Sequence, residues 1–190
     1  MNKSFVRELE KEGVLRDLIE SYYDVDELQE INIFGIRWEN KNDEFDDLIG
    51  YFSNEKIMLV NATTEPGRYY TDNPINEDGA ARLSLGFHKN LWKRGKHKNS
   101  YNALIQASRV KVIRDSNQNM ESDYDDIEDE GMFGINLHRA SVDHIVNNIG
   151  KYSAGCQVIQ DPFSYKMFLD NVYLAKQDLF SYFLLSGEAL

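Results

Sequence analysis

Cys156 is the only cysteine of the chain, and His138 stands eighteen positions before it. The residues around the cysteine are small or polar: Ser153, Ala154 and Gly155 precede it and Gln157 follows. A thiol attacks as its thiolate, and with an ordinary pKa of about 8.5 it needs a base or an electropositive setting to do so at neutral pH. An upstream imidazole is such a base, and small neighbours let backbone N–H groups approach a developing oxyanion. The competing reading is an inert cysteine packed as a small hydrophobe. His138 is the leading base; His144, His88 and His97 each read, taken singly, as surface histidines.

These side chains must be held by the elements around them. The run Met132 to His138 (MFGINLH) reads as a strand with His138 at its C-terminal end, and residues 139–152 return the chain to Cys156. Val158 and Ile159 continue as a short strand. Asp161 and Pro162 are N-cap and N1 residues for a helix with Phe163, Met167, Phe168 and Val172 on its apolar side. Upstream, Phe5, Leu9, Leu15, Leu18, Ile19 and Tyr22 recur at helical spacing, so residues 4–22 read as an amphipathic helix. Strands are expected over Ile31 to Arg37, Lys56 to Ala62, Ala103 to Gln106, Val110 to Arg114 and Leu179 to Leu185, with a short helical segment near Glu44 to Tyr51. Pro66 and Gly67 mark a turn. From Arg68 to Tyr101 the chain reads as mostly irregular, which makes it the candidate for a substrate-covering segment.

With 190 residues, 42% of them hydrophobic, the chain suffices for one well-buried core. A net charge of -11 argues against a nucleic-acid partner, which needs a cationic stripe. Only Lys89 to Lys98 is locally basic, and it reads as a solvated loop before it reads as a contact for an anionic polymer. One cysteine forms no intrachain disulfide. No window is apolar enough for a secretory signal or a membrane span, so the expectation is a protein that is cytoplasmic as synthesised, without membrane insertion. The stretch Glu121 to Glu130 carries seven carboxylates in ten positions. Asp115, Asn117, Asn119, Glu121, Asp123 and Asp126 alternate as calcium-loop ligands do, but Met120 stands where such a loop needs glycine, so a solvated loop is expected and no metal is assigned.

The arrangement of His138, seventeen intervening residues, then Cys156 preceded by Ser153 and Gly155 and with Val158 beyond, resembles the signature of the L,D-transpeptidase (YkuD-type) family. Ala154 stands where that family has a second histidine. The wider strings GMFGINLHRA and KYSAGCQV resemble a bacteriophage and Bacteroidetes variant of the family, as do the turn Thr63 to Gly67, the segment Gly95 to Lys98, Ala103 to Gln106, and Arg114 with Asp115. The resemblance implies an α+β protein: residues 1–30 as a helical extension and 31–190 as a mostly β catalytic domain with a helix after the cysteine. It implies that Cys156 attacks a peptide carbonyl of a peptidoglycan stem to give a thioester, that His138 is general base, and that backbone N–H groups around Gly155 and Cys156 stabilise the oxyanion, with Ser153 also in the catalytic set and no cofactor. Arg114, His97, Tyr101, Gln106 and Arg139 are candidates for binding substrate, Arg114 by gripping a stem carboxylate; the competing reading of Arg114 is a structural pair with Asp115 or the acidic loop. Without a signal peptide, the expected setting is a phage-associated murein-cleaving enzyme acting on the cell wall after lysis or from a virion, with virion partners. The alternatives are a cysteine peptidase or amidase on another substrate and a non-catalytic virion structural or binding protein.

Overall fold

The computed structural model describes residues 17, 19–21, 28–38, 43–54, 56–121 and 126–189. Eleven strands dominate it: β1 (Asn32–Arg37), β2 (Asp47–Phe52), β3 (Ile57–Thr63), β4 (Ala80–Leu83), β5 (Gly86–His97), β6 (Tyr101–Gln106), β7 (Val110–Asp115), β8 (Ile127–Gly131), β9 (Leu137–Arg139), β10 (Gln157–Ile159) and β11 (Leu179–Ser186). Two helices interrupt them, α1 (Arg68–Asp72) and α2 (Pro162–Leu174). The protein is therefore mostly β, as expected. Among the described residues no helix is long and apolar enough to cross a membrane.

Eight strands close into a barrel in the order β1, β11, β5, β6, β9, β10, β3, β2, which leaves none of the eight with an open edge. Two of its pairings are parallel, β1 with β11 and β9 with β10. The other three strands form an antiparallel sheet in the order β4, β7, β8. One core joins the two sheets: Ala81, Leu83, Val110 and Val112 of the small sheet pack with Trp92, Leu104, Leu137, Phe180 and Tyr182 of the barrel. Helix α2 adds Tyr165, Phe168, Leu169 and Val172.

Strands β1, β2 and β11 are buried on both faces. Ile33, Ile49 and Tyr182 enter the main core, while Phe34, Ile36, Leu48, Phe52, Phe183 and Leu185 enter a second cluster that Ile19 completes. Two-sided burial calls for near-continuous apolar runs rather than alternation. That is why Glu44 to Tyr51, expected to be helical, is instead an isolated bridge at Glu44 followed by strand β2. The amphipathic helix expected over 4–22 falls largely outside the described residues; Asp17 and 19–21 are helical.

The expectation of an irregular covering segment over Arg68 to Tyr101 is overturned. That stretch holds α1, β4 and the twelve-residue β5, which is barrel wall paired to β11 and β6. Its alternation is broken at Asn90, which takes a φ of 53° beside a register shift in β11, and Asn90 N–H donates to Ser181 Oγ at 3.1 Å. Between His88 and Trp92 the strand takes four steps against two of β11, from Tyr182 to Phe180, and Leu91 and Trp92 are both buried, so period-two reasoning fails across the irregularity. The basic run Lys89 to Lys98 lies largely on this strand, with Leu91 and Trp92 facing the core.

The strand expected over Met132 to His138 is reduced to β9, Leu137–Arg139. In α2 the capping is as expected, Asp161 accepting from Phe163 N–H and Ser164 N–H at 3.1 Å each. The buried face differs: Phe163 and Met167 are exposed, while Tyr165 and Leu169 pack inward with Phe168 and Val172.

Candidate active site

Cys156 sits one residue before β10, at the end of a loop folded on itself. Ser153 is fully buried; its Oγ donates to Cys156 O at 2.8 Å and accepts Gly155 N–H at 3.1 Å. Gly155 has a φ of 119°, and a Cβ there would stand 2.3 Å from Ala81 O, so both conformation and space demand glycine. Gly67 N–H donates to Ser153 O at 2.9 Å and Gln157 Nε2 to Thr64 O at 3.3 Å, so the turn Thr63 to Gly67 backs the loop. Gln157 is itself buried and accepts from Tyr182 Oη at 2.9 Å.

The parallel register between β9 and β10 relates the cysteine to the histidine. Val158 is opposite His138, and Gln157 N–H donates to Asn136 O at 2.9 Å. Carried back one residue, the register sets Cys156 beside Asn136, and alternation along both strands puts the Cys156 and His138 side chains on one face, two positions apart diagonally. Such diagonal neighbours have Cα atoms about 7–8 Å apart, within the reach of an imidazole. No hydrogen bond joins them: the Cys156 thiol donates to Gly134 O at 3.4 Å.

His138 is 4% exposed. Its Nδ1 lies 2.8 Å from Arg139 O and 3.3 Å from Tyr101 Oη. A carbonyl only accepts, so Nδ1 carries the proton and Nε2 is left as the base. The His97 ring stacks on His138 with centroids 3.9 Å apart. Asn136 orients His97: its Oδ1 accepts Gln106 N–H at 2.9 Å, which directs its Nδ2 toward His97 Nδ1 at 3.3 Å. Burial first, and then the His97 ring, lower the His138 pKa to about 3, against the opposing pull of Arg139 O. Burial, then Lys98, lower that of His97. Burial raises the Cys156 thiol, offset in part by the Asn136 backbone N–H and by Lys98. The resting pair is a neutral imidazole and a protonated thiol.

The remaining expected residues separate into two groups. His97, Tyr101 and Arg139 gather around His138, with the Arg139 guanidinium 4.1 Å from the Tyr101 ring centroid. Gln106 works one step behind. Its Oε1 accepts Phe133 N–H at 3.0 Å and Ile135 N–H at 2.9 Å, and its Nε2 donates to Ser108 O and Gly131 O, which pins the chain that presents Gly134 O to the thiol. Arg114 pairs with Asp129 at 2.8 Å, not with Asp115. Asp115 instead closes its own turn by accepting Asn119 N–H and Met120 N–H. Of the other histidines, His144 is exposed beside Asp143 and Ser141, and His88 meets Ser84 O in the barrel wall.

Three features lay beyond the reach of sequence. Asn136 is one, an isolated polar residue whose only signal is its place two before His138. A second is the buried group of Arg37, Glu65 and Arg82, in which Glu65 Oε1 lies 3.0 Å from Arg82 Nε and 3.7 Å from Arg37 Nε. The third is Asp47, whose Oδ2 accepts both Thr64 N–H and Thr64 Oγ1–H. Among the described residues no three His, Cys, Asp or Glu side chains converge as a metal site would require. Compared with family models, curated proteins and solved structures, the chain matches none.

Proposed function

We propose that the protein is a cysteine-dependent acyl-transfer enzyme in which Cys156 is the nucleophile and His138 the general base. The observation that carries this reading is the β9–β10 register, which sets His138 and Cys156 on one strand face, while Arg139 O, accepting from Nδ1–H, leaves Nε2 as the unprotonated nitrogen. In the reaction His138 Nε2 takes the thiol proton as sulfur bonds to the acyl carbon. The imidazolium then returns that proton to the departing amine as the C–N bond breaks, leaving a thioester that water or a second amine resolves. Gly155 N–H is engaged by Ser153 Oγ, so the Cys156 N–H is the loop's donor for the oxyanion, and Ser153 and Gly155 act by shaping the loop. The neutral resting pair means attack requires the thiol to turn from Gly134 O toward His138, coupling proton transfer to approach.

The resemblance of Ser153, Gly155, Cys156 and His138 to the L,D-transpeptidase motif directs the substrate to peptidoglycan stem peptides, with action on the cell wall from a lysed host or a virion. A second reading, a binding or structural protein that keeps the fold without catalysis, is favoured by the missing hydrogen bond between thiol and imidazole. Mass spectrometry after incubation with a carbapenem separates them. One adduct at Cys156, strongly reduced in His138→Ala, is expected together with cleavage or cross-linking of purified muropeptides. An unlabelled thiol and unchanged muropeptides would favour the structural reading, and turnover of other peptides alone would favour a peptidase or amidase.

A further inference from the structure

Against the Cys156 loop, which contributes Ala154, lies a cavity of about 280 Å³ whose other walls include Asn76, Ala80, Ala81, Arg114 and Phe133. Two of these residues adjoin the groups that hold Cys156. Ala154 precedes Gly155, and Phe133 precedes Gly134, whose carbonyl accepts the thiol. Ala81, from the small sheet, presses its carbonyl against Gly155. Sites for whole small ligands run from about 300 to 1,000 Å³, so this one has room for a single side chain or chain end.

Its chemistry is set by Arg114, which is 5% exposed. Of the five N–H groups a guanidinium carries, Nε and one on Nη2 go to Asp129 Oδ2 at 2.9 and 2.8 Å, and one on Nη1 goes to Gly79 O at 3.2 Å. One N–H on each terminal nitrogen therefore has no protein acceptor among the described residues. A buried cationic donor left unmet is costly, and donors on both terminal nitrogens suit the two oxygens of a carboxylate. Asp129 is the more exposed partner of the pair, so its charge is the better screened by solvent. The Phe133 ring, 5.2 Å from the guanidinium carbon, and the methyl groups of Ala80 and Ala81 offer apolar cover for a short aliphatic stem.

We propose that this cavity is the acyl-donor subsite and that it takes a carboxylate carried on a short aliphatic chain next to the scissile bond. The proposal rests on the acyl-transfer reading of Cys156. Ala154 becomes a specificity residue: its methyl group leaves the cavity open, where a larger side chain would enter it.

The test uses the full chain and N-acetylated aminoacyl thioesters whose acyl residue is glutamate, glutamine or leucine, with the Cys156 acyl adduct followed by mass spectrometry. The glutamate donor is expected to acylate about tenfold faster than its glutamine isostere, and Arg114→Met to bring the two rates together. Ala154→Leu, which keeps every partner of the guanidinium, is expected to slow the glutamate donor about tenfold through a raised KM. That variant decides the matter if Arg114→Met fails to fold. Equal rates for glutamate and glutamine in the unmodified protein, or a glutamate rate untouched by Ala154→Leu, overturn the subsite alone. If no thioester acylates Cys156, the acyl-transfer reading falls and the subsite falls with it.

Discussion

At pH 7 His138 is a neutral imidazole because its surroundings resist a proton: it is buried, it stacks on a second imidazole, and only Arg139 O favours the charged form. This has a thermodynamic consequence. Between about pH 3 and 6.5 the unfolded chain binds a proton at this residue and the folded chain does not. Stability should therefore rise with pH across that window and be lost as pH falls, by up to about 1.4 kcal/mol per pH unit from this one group. His97, lowered for the same reason, acts with the same sign. Urea unfolding at several pH values is expected to show this slope, and His138→Gln to flatten it while leaving the His97 share. A variant with the full slope would mean that His138 is not the buried neutral group.

Single side chains act at this site only through the elements that carry them. The parallel pair β9 and β10 sets the facing of His138 and Cys156, and Gln106, at the end of β6, fastens the connecting chain before β9. Gln106→Ala removes the acceptor of two backbone N–H groups, a loss of about 1–3 kcal/mol for each that stays buried and unmet. Hydrogen exchange should accelerate at Phe133 and Ile135, and Cys156 labelling should quicken because Gly134 O no longer holds the thiol away from His138. Unchanged protection at those two amides would show that the chain is held by other contacts.

Across the molecule, the barrel and the small sheet meet at charges as well as in the apolar core. Arg37 comes from β1, Glu65 follows β3 and Arg82 belongs to β4, and all three are largely buried. Arg37 also donates to Leu83 O and Thr64 O, tying β1 to β4 and to the turn behind the cysteine loop. Glu65→Gln keeps the shape but leaves two buried guanidinium groups without their shared carboxylate. A loss of about 3–5 kcal/mol is expected in chemical denaturation, a large share of the stability of an ordinary domain. A change within about 0.5 kcal/mol would show the cluster to be dispensable.

Much of the local structure was written in the chain. β1, β3, β6, β7 and β11 were legible because β-branched and aromatic runs between turn residues have few other uses, and the Asp161–Pro162 cap because it is a purely local hydrogen-bond motif. The candidate pair was legible too, since a lone cysteine among small residues and a preceding histidine are facts of residue type and spacing. Strand β2 and most of β5 were not, because their signals depend on what covers each face and on a bulge that only pairing with β11 reveals. The partners of the site residues were equally hidden: His97 on His138, Gln106 on Phe133 and Ile135, Asp129 on Arg114. Local sequence determined which groups are candidates for chemistry and where many of the strands run. Tertiary structure alone decided which nitrogen of His138 is left unprotonated, which face it shares with Cys156, and which donors of Arg114 lack an acceptor among the described residues, because each depends on how separate strands and loops are brought together.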